Sequence, residues 1–301
     1  MLGRPLPVPD DRGIYCFPDD LLACLDAWQG QLELRSPDEA GTILELVAPL
    51  SGVRYLIEER VPQGRPVLVL EPHHDDLILS AGGCFLVEPR PLTVVTVFTR
   101  SNSVHPDVRT RYAAIDEVSA LRAEESRQAL LPLFATHHLI GLKDADPPYS
   151  SYHPASIELL ADLLRPYVDE NPEAELIAPA GVTRHPDHLR LHQAARLLGC
   201  HWFWDDTSFY PTYAANVDDR HLFEQRTRGL LDSEVRDITK AVLDKLILLH
   251  MYQSQMQPLR EMYRVLRYNW TVAASLNTAR RPTPDARFGE RFFRAIPEGA
   301  A

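Results

Sequence analysis

The sequence lacks the long apolar runs that cross a membrane, because no stretch of about 18 consecutive apolar residues occurs in it. Its beginning also lacks the apolar core of a signal peptide. Cysteine is scarce, with four in 301 residues and none in a C-x-x-C pair, which argues against a disulfide framework and a cysteine-type zinc site. These features are typical of a reducing compartment, and we expect a cytoplasmic protein without a membrane span.

Basic residues are also fewer than acidic ones. The sequence has 31 Lys and Arg and 42 Asp and Glu, which gives a formal net charge of -11. Nucleic acids and anionic membranes attract basic surfaces, so the composition argues against both as partners. A hydrophobic fraction of 45% and a charged fraction of 24% are ordinary for a globular protein with one large core or two modest ones. The sequence leaves the oligomeric state open, a homo-oligomer included.

The first part of the chain, residues 1–65, differs in pattern from the rest. Polar and apolar residues alternate over 31–35 and 43–46, as they do in half-buried strands, and 52–57 is a candidate third strand. A short helix is predicted over 19–28. We therefore predict a small β-rich N-terminal extension that packs on the main domain and carries no catalytic group.

The second part, residues 66–301, alternates apolar β-branched runs with helical patterns. This alternation predicts an α/β domain with a mostly parallel, Rossmann-like sheet and helices on both faces. The predicted strands are 66–71, 93–99, 137–140, 175–180 and 202–204. The predicted helices are 78–87, 115–131, 155–168, 187–199 and 234–253.

The most informative stretch begins where the apolar run 67–70 ends in a group of His73, His74, Asp75 and Asp76. A buried parallel strand has a nearly continuous apolar sequence, and ligands of open α/β sheets bind at the carboxyl ends of such strands. Burying imidazole and carboxylate groups without partners costs free energy. This stretch therefore predicts a site for a metal, a substrate or both.

A second polar group, His185-Pro186-Asp187-His188, follows the predicted strand 175–180. Pro186 suits the first turn of a helix, and His185 precedes that helix at the edge of the sheet. Because both groups follow parallel strands, they predict a shared metal site. Two imidazoles and one carboxylate, completed by water, match catalytic zinc, although iron(II) accepts the same ligands.

With both motifs in this order, the sequence resembles the LmbE-like (PIG-L) family of zinc-dependent N-deacetylases over roughly residues 66–294. The family motif A-H-P-D-D-E corresponds to residues 72–77, and H-P-D-H is unaltered at 185–188. Weaker matches to the family sequence occur at Arg122-x-x-Glu125, at Lys245, at 252–255 and at 288–293.

The first motif departs from the family at two positions. His74 stands where the family has Pro, and Leu77 stands where it has Glu. Neither position is an expected metal ligand, but loss of the Glu is expected to alter metal affinity by removing a partner of the ligands. Adjacent residues usually point apart, so we do not expect His74 to be a further ligand.

The resemblance implies roles for individual side chains. The expected metal ligands are His73, Asp76 and His188. The expected metal is Zn²⁺, with Fe²⁺ or another divalent ion as the alternative. Asp75 would be the general base that takes a proton from water. A protonated His185 would stabilise the oxyanion and protonate the departing amine, and Asp187 would orient His185.

Three residues are candidates for substrate binding: Arg122, Asp144 and Tyr252. Each has a structural alternative. Arg122 could instead form a surface ion pair with Glu124 or Glu125, and Asp144 could shape a turn. Tyr252 could be a core residue of an amphipathic helix.

The reaction that the resemblance implies is hydrolysis of an N-acetyl or other N-acyl group on a small amino sugar or glycoconjugate, which gives acetate and a free amine. One alternative is an amidase that acts on a thiol conjugate or another acyl amine. Another alternative is an inactive sugar- or metal-binding module. Asp75 and His185 argue against that module, because a pure binder needs neither a base nor an oxyanion donor.

Overall fold

The computed structural model describes residues 33–35, 43–47, 54–58, 62–105, 114–145, 155–183, 185–206, 231–256, 258–274 and 286–295. The chain divides into two compact units, Met1–Glu59 and Arg60–Ala301. The first unit contains an antiparallel sheet in the order β1 (Glu33–Arg35), β2 (Ile43–Val47) and β3 (Arg54–Glu58). These strands lie close to the predicted ones, whereas the predicted helix at 19–28 lies outside the described residues. Packing of this unit on the main domain stays a prediction.

Among the described residues, the second unit contains a seven-stranded sheet. Its strands are β4 (Val67–Glu71), β5 (Leu92–Thr96), β6 (Thr136–Leu139), β7 (Glu175–Pro179), β8 (Trp202–Trp204), β9 (Leu231–Asp237) and β10 (Gly289–Ala295). They lie in the order β6-β5-β4-β7-β8-β10-β9. Strands β4 to β8 pair in parallel, and β10 pairs antiparallel with both β8 and β9. The predicted mostly parallel α/β sheet is therefore confirmed.

Helices surround this sheet. They are α1 (Asp76–Val87), α2 (Ile115–Leu130), α3 (Ile157–Glu170), α4 (Pro186–Leu197), α5 (Val242–His250) and α6 (Pro258–Ala274). Helix α1 is apolar on all sides and is buried from Asp76 to Leu86, as expected for a helix enclosed by protein. Within the described residues, no helix is both long and apolar enough to cross a bilayer.

One predicted helix, 234–253, is wrong in its first part. Residues Leu231–Asp237 form β9, and the helix is confined to Val242–His250. Strand β9 pairs along its whole length with β10, which lies more than fifty residues later in the chain. Strand propensity depends strongly on such neighbours, so the local pattern could not indicate this strand.

The parallel strands contribute buried side chains to the hydrophobic core. Strand β4 is completely buried, and one side of it contributes Leu68 and Leu70 to a cluster with Leu160, Leu164 and Leu191 from α3 and α4. A central strand covered on both faces is typical of a parallel sheet. The polar residues that follow β4 therefore begin inside the protein.

A buried ion pair links α1 to the C-terminal part of the chain. The Nζ atom of Lys245 on α5 lies 2.7 Å from Oε1 of Glu290 on β10, and both side chains are fully buried. The same ammonium group donates to the carbonyl oxygen of Leu79 at 2.8 Å and to Oδ1 of Asn269 at 3.2 Å. Lys245 and Glu290, which belong to two of the weaker matches to the family, thus make structural contacts.

The carboxylate of Glu290 also contacts the backbone of α1 directly. Its oxygens accept hydrogen bonds from the amides of Gly83, at 2.9 Å, and Cys84, at 2.8 Å. A Cβ atom at position 83 would lie 2.8 Å from Cδ1 of Ile238 and 3.0 Å from Oε1 of Glu290. Glycine is therefore required at this position for the close approach of the carboxylate.

We predict that Lys245→Met lowers the free energy of unfolding by about 3–5 kcal/mol, because it leaves the Glu290 carboxylate buried without a cation. The control is Arg127→Met, which breaks the 2.6 Å pair with Glu124 on the exposed face of α2. That change is expected to cost about 1 kcal/mol or less. Urea unfolding of both variants measures the difference, and equal small losses would contradict the prediction.

Candidate active site and metal centre

A cleft of about 300 Å³ opens where β4, β5, β6 and β7 end. Its walls include His73, Asp75, Asp76, Arg122, Asp144, His185 and His188. All the expected site residues except Asp187 and Tyr252 therefore line one cleft at the carboxyl ends of the parallel strands. This is the position at which open α/β sheets bind their ligands.

The three expected metal ligands lie together although His188 is far in sequence from His73 and Asp76. Oδ2 of Asp76 is 3.1 Å from Nδ1 of His73 and 3.3 Å from Nε2 of His188. The same oxygen accepts a hydrogen bond from the backbone amide of His73 at 2.9 Å. The short loop after β4 and the first turn of α4 thus meet at a single carboxylate oxygen.

Each of the two imidazoles uses its other nitrogen to contact a second buried carboxylate. Nε2 of His73 lies 2.8 Å from Oδ2 of Asp187, and Nδ1 of His188 lies 2.9 Å from Oδ2 of Asp206. Metal-binding histidines commonly have such a carboxylate behind them, which fixes the ring and its tautomer. The donor set of this site therefore fits a divalent metal.

Asp206 is a functional candidate that the sequence analysis missed. Besides His188, its carboxylate accepts hydrogen bonds from the amide of Val182 at 2.9 Å and from Oγ1 of Thr183 at 3.0 Å. It is the second residue after β8, and β8 pairs with β7. The pair Asp205-Asp206 after the apolar strand β8 was the available signal in the sequence. Only the strand order, however, places Asp206 behind His188.

The charges in this cluster depend on one another. Burial alone would lower the pKa of the His73 imidazole, but its bonds to Asp187 and Asp76 outweigh burial and raise that pKa to about 9. The same balance raises the pKa of His188. Burial opposes ionisation of Asp76 as well, yet His188 and His73 hold its pKa well below the usual range. Bound protons thus supply positive charge here, and a cation can take their place.

His185 gives a second possible ligand set. Ligand atoms of His73, His185 and His188 lie within 4.8 Å of one another, so three histidines could also hold a metal. His185 differs in its surroundings, because its Nδ1 accepts the Asp187 amide at 3.3 Å and lies 3.7 Å from the Asp187 carboxylate. That carboxylate is closer to His73. Burial, together with the charges on His73 and His188, lowers the pKa of His185 to about 3.

Asp75 and Arg122 form a buried pair beside this cluster. Oδ1 of Asp75 lies 3.4 Å from Nη2 of Arg122, and Nη1 of Arg122 donates to Oγ of Ser101 at 2.9 Å. Arg122 is only 4% exposed, which excludes the alternative of a surface ion pair. Burial raises the pKa of Asp75, and the guanidinium group of Arg122 opposes that rise.

Asp144 is placed to meet a polar ligand. Its Oδ2 accepts a hydrogen bond from Ser101, whereas its buried Oδ1 has no partner among the described residues. The side chain is 8% exposed and lines the cleft. Buried acceptors are almost always satisfied in folded proteins, so Oδ1 is available to a hydrogen-bond donor from outside the described residues, such as a ligand or water.

Tyr252 does not line the cleft, and its side chain is 1% exposed. Gln255, three residues later, lines it instead, and its Nε2 donates to the carbonyl oxygen of Ser103 at 2.7 Å. Ser254 donates through its amide and hydroxyl to the carboxylate of Glu125, at 2.8 and 2.6 Å. Residues 252–255 therefore reach the cleft through Gln255 and are held against α2 by Ser254.

His74 also lies outside the lining of the cleft. It is 1% exposed, and its ring centroid lies 6.4 Å from that of His137 on β6. The side chain thus turns toward the edge of the sheet, away from the neighbouring His73. This agrees with the expectation that adjacent residues point apart.

Comparison with known proteins identifies the family of this chain. The PIG-L family model, described as GlcNAc-PI de-N-acetylase, matches residues 68–198. The 2'-N-acetylparomamine deacetylase of Streptomyces fradiae is 32% identical in an alignment that covers 81% of this chain and 94% of that protein. The chain therefore belongs to the PIG-L (LmbE-like) family of N-deacetylases, and the family resemblance is confirmed.

Solved structures of lower identity share the fold. The zinc-inhibited form of teicoplanin deacetylase Orf2 has a TM-score of 0.56 at 18% identity and covers 78% of this chain and 100% of its own. The 4-carboxy-2-hydroxymuconate hydratase GalB from Pseudomonas putida has a TM-score of 0.51 at 16% identity, with coverages of 77% and 96%. Because a hydratase shares this fold, the fold alone does not define the reaction.

Proposed function

We propose that this chain is a zinc-dependent hydrolase that removes the N-acetyl group of an amino sugar and releases acetate and a free amine. The observation that carries the proposal is the contact of Asp76 with both His73 and His188 in a cleft that Asp75 also lines. The relative that is 32% identical is named as a deacetylase of 2'-N-acetylparomamine, which supports an N-acetylated amino sugar as the substrate class.

His73, Asp76 and His188 would hold the metal, with Asp187 and Asp206 behind the two imidazoles. When bound, the ion would lower the pKa of a water molecule and polarise the acetyl carbonyl group. We propose Zn²⁺, with Fe²⁺ or another divalent ion as the alternative, because all of them accept nitrogen and carboxylate ligands.

Asp75 would act as the general base. Its carboxylate lines the cleft and is not one of the proposed ligands, so it can accept a proton from the attacking water. Burial raises its pKa toward the working range of a base, and Arg122 keeps the ionised form accessible. Asp75 would then donate this proton to the departing nitrogen, a role that the family resemblance implied for His185.

His185 would stabilise the oxyanion of the tetrahedral intermediate. Its Nδ1 accepts the amide of Asp187, so the proton of the neutral ring is on Nε2. Because the pKa of His185 is lowered to about 3, we assign this role to a neutral Nε2–H donor and not to the expected imidazolium. Asp187, expected to orient His185, would do so through its backbone amide while its carboxylate holds His73.

The substrate would be held by Arg122, Asp144 and Gln255. Oδ1 of Asp144, which has no partner in the part of the chain that the structure describes, can accept a hydrogen bond from a sugar hydroxyl group. Gln255 replaces Tyr252 in this proposal, because Gln255 lines the cleft.

The proposed function is tested by incubating the zinc-loaded protein with N-acetylated aminoglycosides, N-acetylhexosamines and acylated thiol conjugates. We expect loss of one acetyl mass, measured by mass spectrometry, from an amino sugar and not from the thiol conjugates. Cleavage of the conjugates alone would favour the amidase alternative. Tight sugar binding without cleavage of any compound would favour a binding module.

We predict that Asp75→Asn keeps the metal and loses activity by about 10²-fold or more, because an amide side chain cannot accept the proton. Elemental analysis and initial rates on the same protein sample measure both quantities. Wild-type turnover at equal metal content would contradict the assignment of Asp75 as the base.

We predict that His188→Ala loses most of the bound metal, because it removes a ligand. The matched control is His192→Ala, one turn later on α4, where Nδ1 contacts the carbonyl oxygen of Pro179 at 3.0 Å. His192→Ala is expected to retain the metal.

His185→Ala separates the two ligand sets: metal loss there, measured by elemental analysis, would favour the three-histidine set over the one with Asp76.

A further inference from the structure

Helix α1 begins without the cap that its sequence offers. Asp75 is the N-cap residue, and an aspartate at this position normally accepts a hydrogen bond from the amide of the second or third helical residue. Asp75 makes no such bond, and its carboxylate instead lies 3.4 Å from Nη2 of Arg122. The first turn of α1 therefore needs another acceptor.

Glu71 supplies that acceptor from the end of β4. Its Oε1 accepts the amide of Leu77, the second residue of the helix, at 2.9 Å. Its Oε2 accepts the hydroxyl of Thr96 at 2.7 Å, and Thr96 is the residue paired with Glu71 in the adjacent strand β5. Both carboxyl oxygens are thus fixed, and the side chain is fully buried.

The position of this carboxyl group is unusual for a central strand. Glu71 ends a strand whose four preceding residues are apolar and buried, and placing a carboxyl group there costs free energy of desolvation. Its bond to Leu77 spans residues 72–76, which carry two of the proposed ligands and the proposed base. Leu77 is also the position at which the family motif has Glu. In this chain, the Glu71 carboxylate reaches the backbone amide of residue 77 from the end of β4 instead.

We propose that Glu71 is a positioning residue that caps α1 in place of Asp75 and so leaves the Asp75 carboxylate free to face Arg122 and the cleft. This inference rests on the role of Asp75 in the proposed function. Without Glu71, the amide of Leu77 becomes available, and Asp75 turns to cap the helix as an N-cap aspartate usually does.

The test compares Glu71→Ala, Glu71→Asp and Glu71→Gln in the zinc-loaded protein. We expect kcat to fall by about tenfold or more in the first two, because neither side chain reaches Leu77, with KM and metal content unchanged. Glu71→Gln keeps an acceptor oxygen at the same reach and is expected to restore most of kcat. The aspartate variant keeps the experiment decisive if the alanine variant does not fold.

Leu164→Ala serves as the stability control. Leu164 is fully buried in the core on the α3 side, away from the lining of the cleft. It is expected to lose stability but to keep kcat at temperatures well below its unfolding transition. A loss of kcat in this control equal to that of Glu71→Asp would assign the effect to general destabilisation and overturn the proposal.

A double-mutant cycle with Asp75→Asn separates this inference from the proposed function. If Glu71 acts through Asp75, Glu71→Asp has little further effect on kcat in the Asp75→Asn background. Additive losses, or equal losses in the glutamine and alanine variants, would overturn the inference while Asp75 remains the base. Full activity of Asp75→Asn alone would instead contradict the proposed function.

Discussion

The arrangement of the site depends on one carboxylate oxygen, Oδ2 of Asp76, which lies within 3.3 Å of a nitrogen of His73 and a nitrogen of His188. None of these groups is stable when buried alone, because a buried charge without a partner carries a large desolvation cost. Asp187 and Asp206 extend the same balance outward to the other ring nitrogens. The loop after β4 and the start of α4 are thus held together by the mutual neutralisation of buried charges.

Much of this site could be predicted from sequence because its parts follow strands. The apolar run ending at Glu71 and the one before His185 have the composition of buried parallel strands, and such strands place their carboxyl ends on one edge of a sheet. That geometry is enough to bring His73, Asp76 and His188 near one another without knowledge of the strand order. The metal and catalytic roles came from the family motifs, since spacing alone does not assign them.

Other features required long-range pairing that no local pattern contains. Asp206 reaches His188 because β8 lies beside β7, and Glu71 contacts Thr96 because β5 lies beside β4. Strand β9 was mistaken for helix because its partner β10 is distant in the chain. Tyr252 was a substrate-binding candidate within the predicted helix 234–253, whereas α5 ends at His250 and the following turn presents Gln255 to the cleft.

The contribution of the C-terminal part of the chain affects how this enzyme can be divided. The match to the family model ends at residue 198, yet Asp206, Gln255 and the buried pair of Lys245 with Glu290 all lie beyond it. A chimera that exchanged only the matched segment between two relatives would separate His188 from its carboxylate and α1 from its internal ion pair. Grafts intended to transfer substrate preference therefore need a junction near the end of β10, so that both halves of each buried pair come from the same parent.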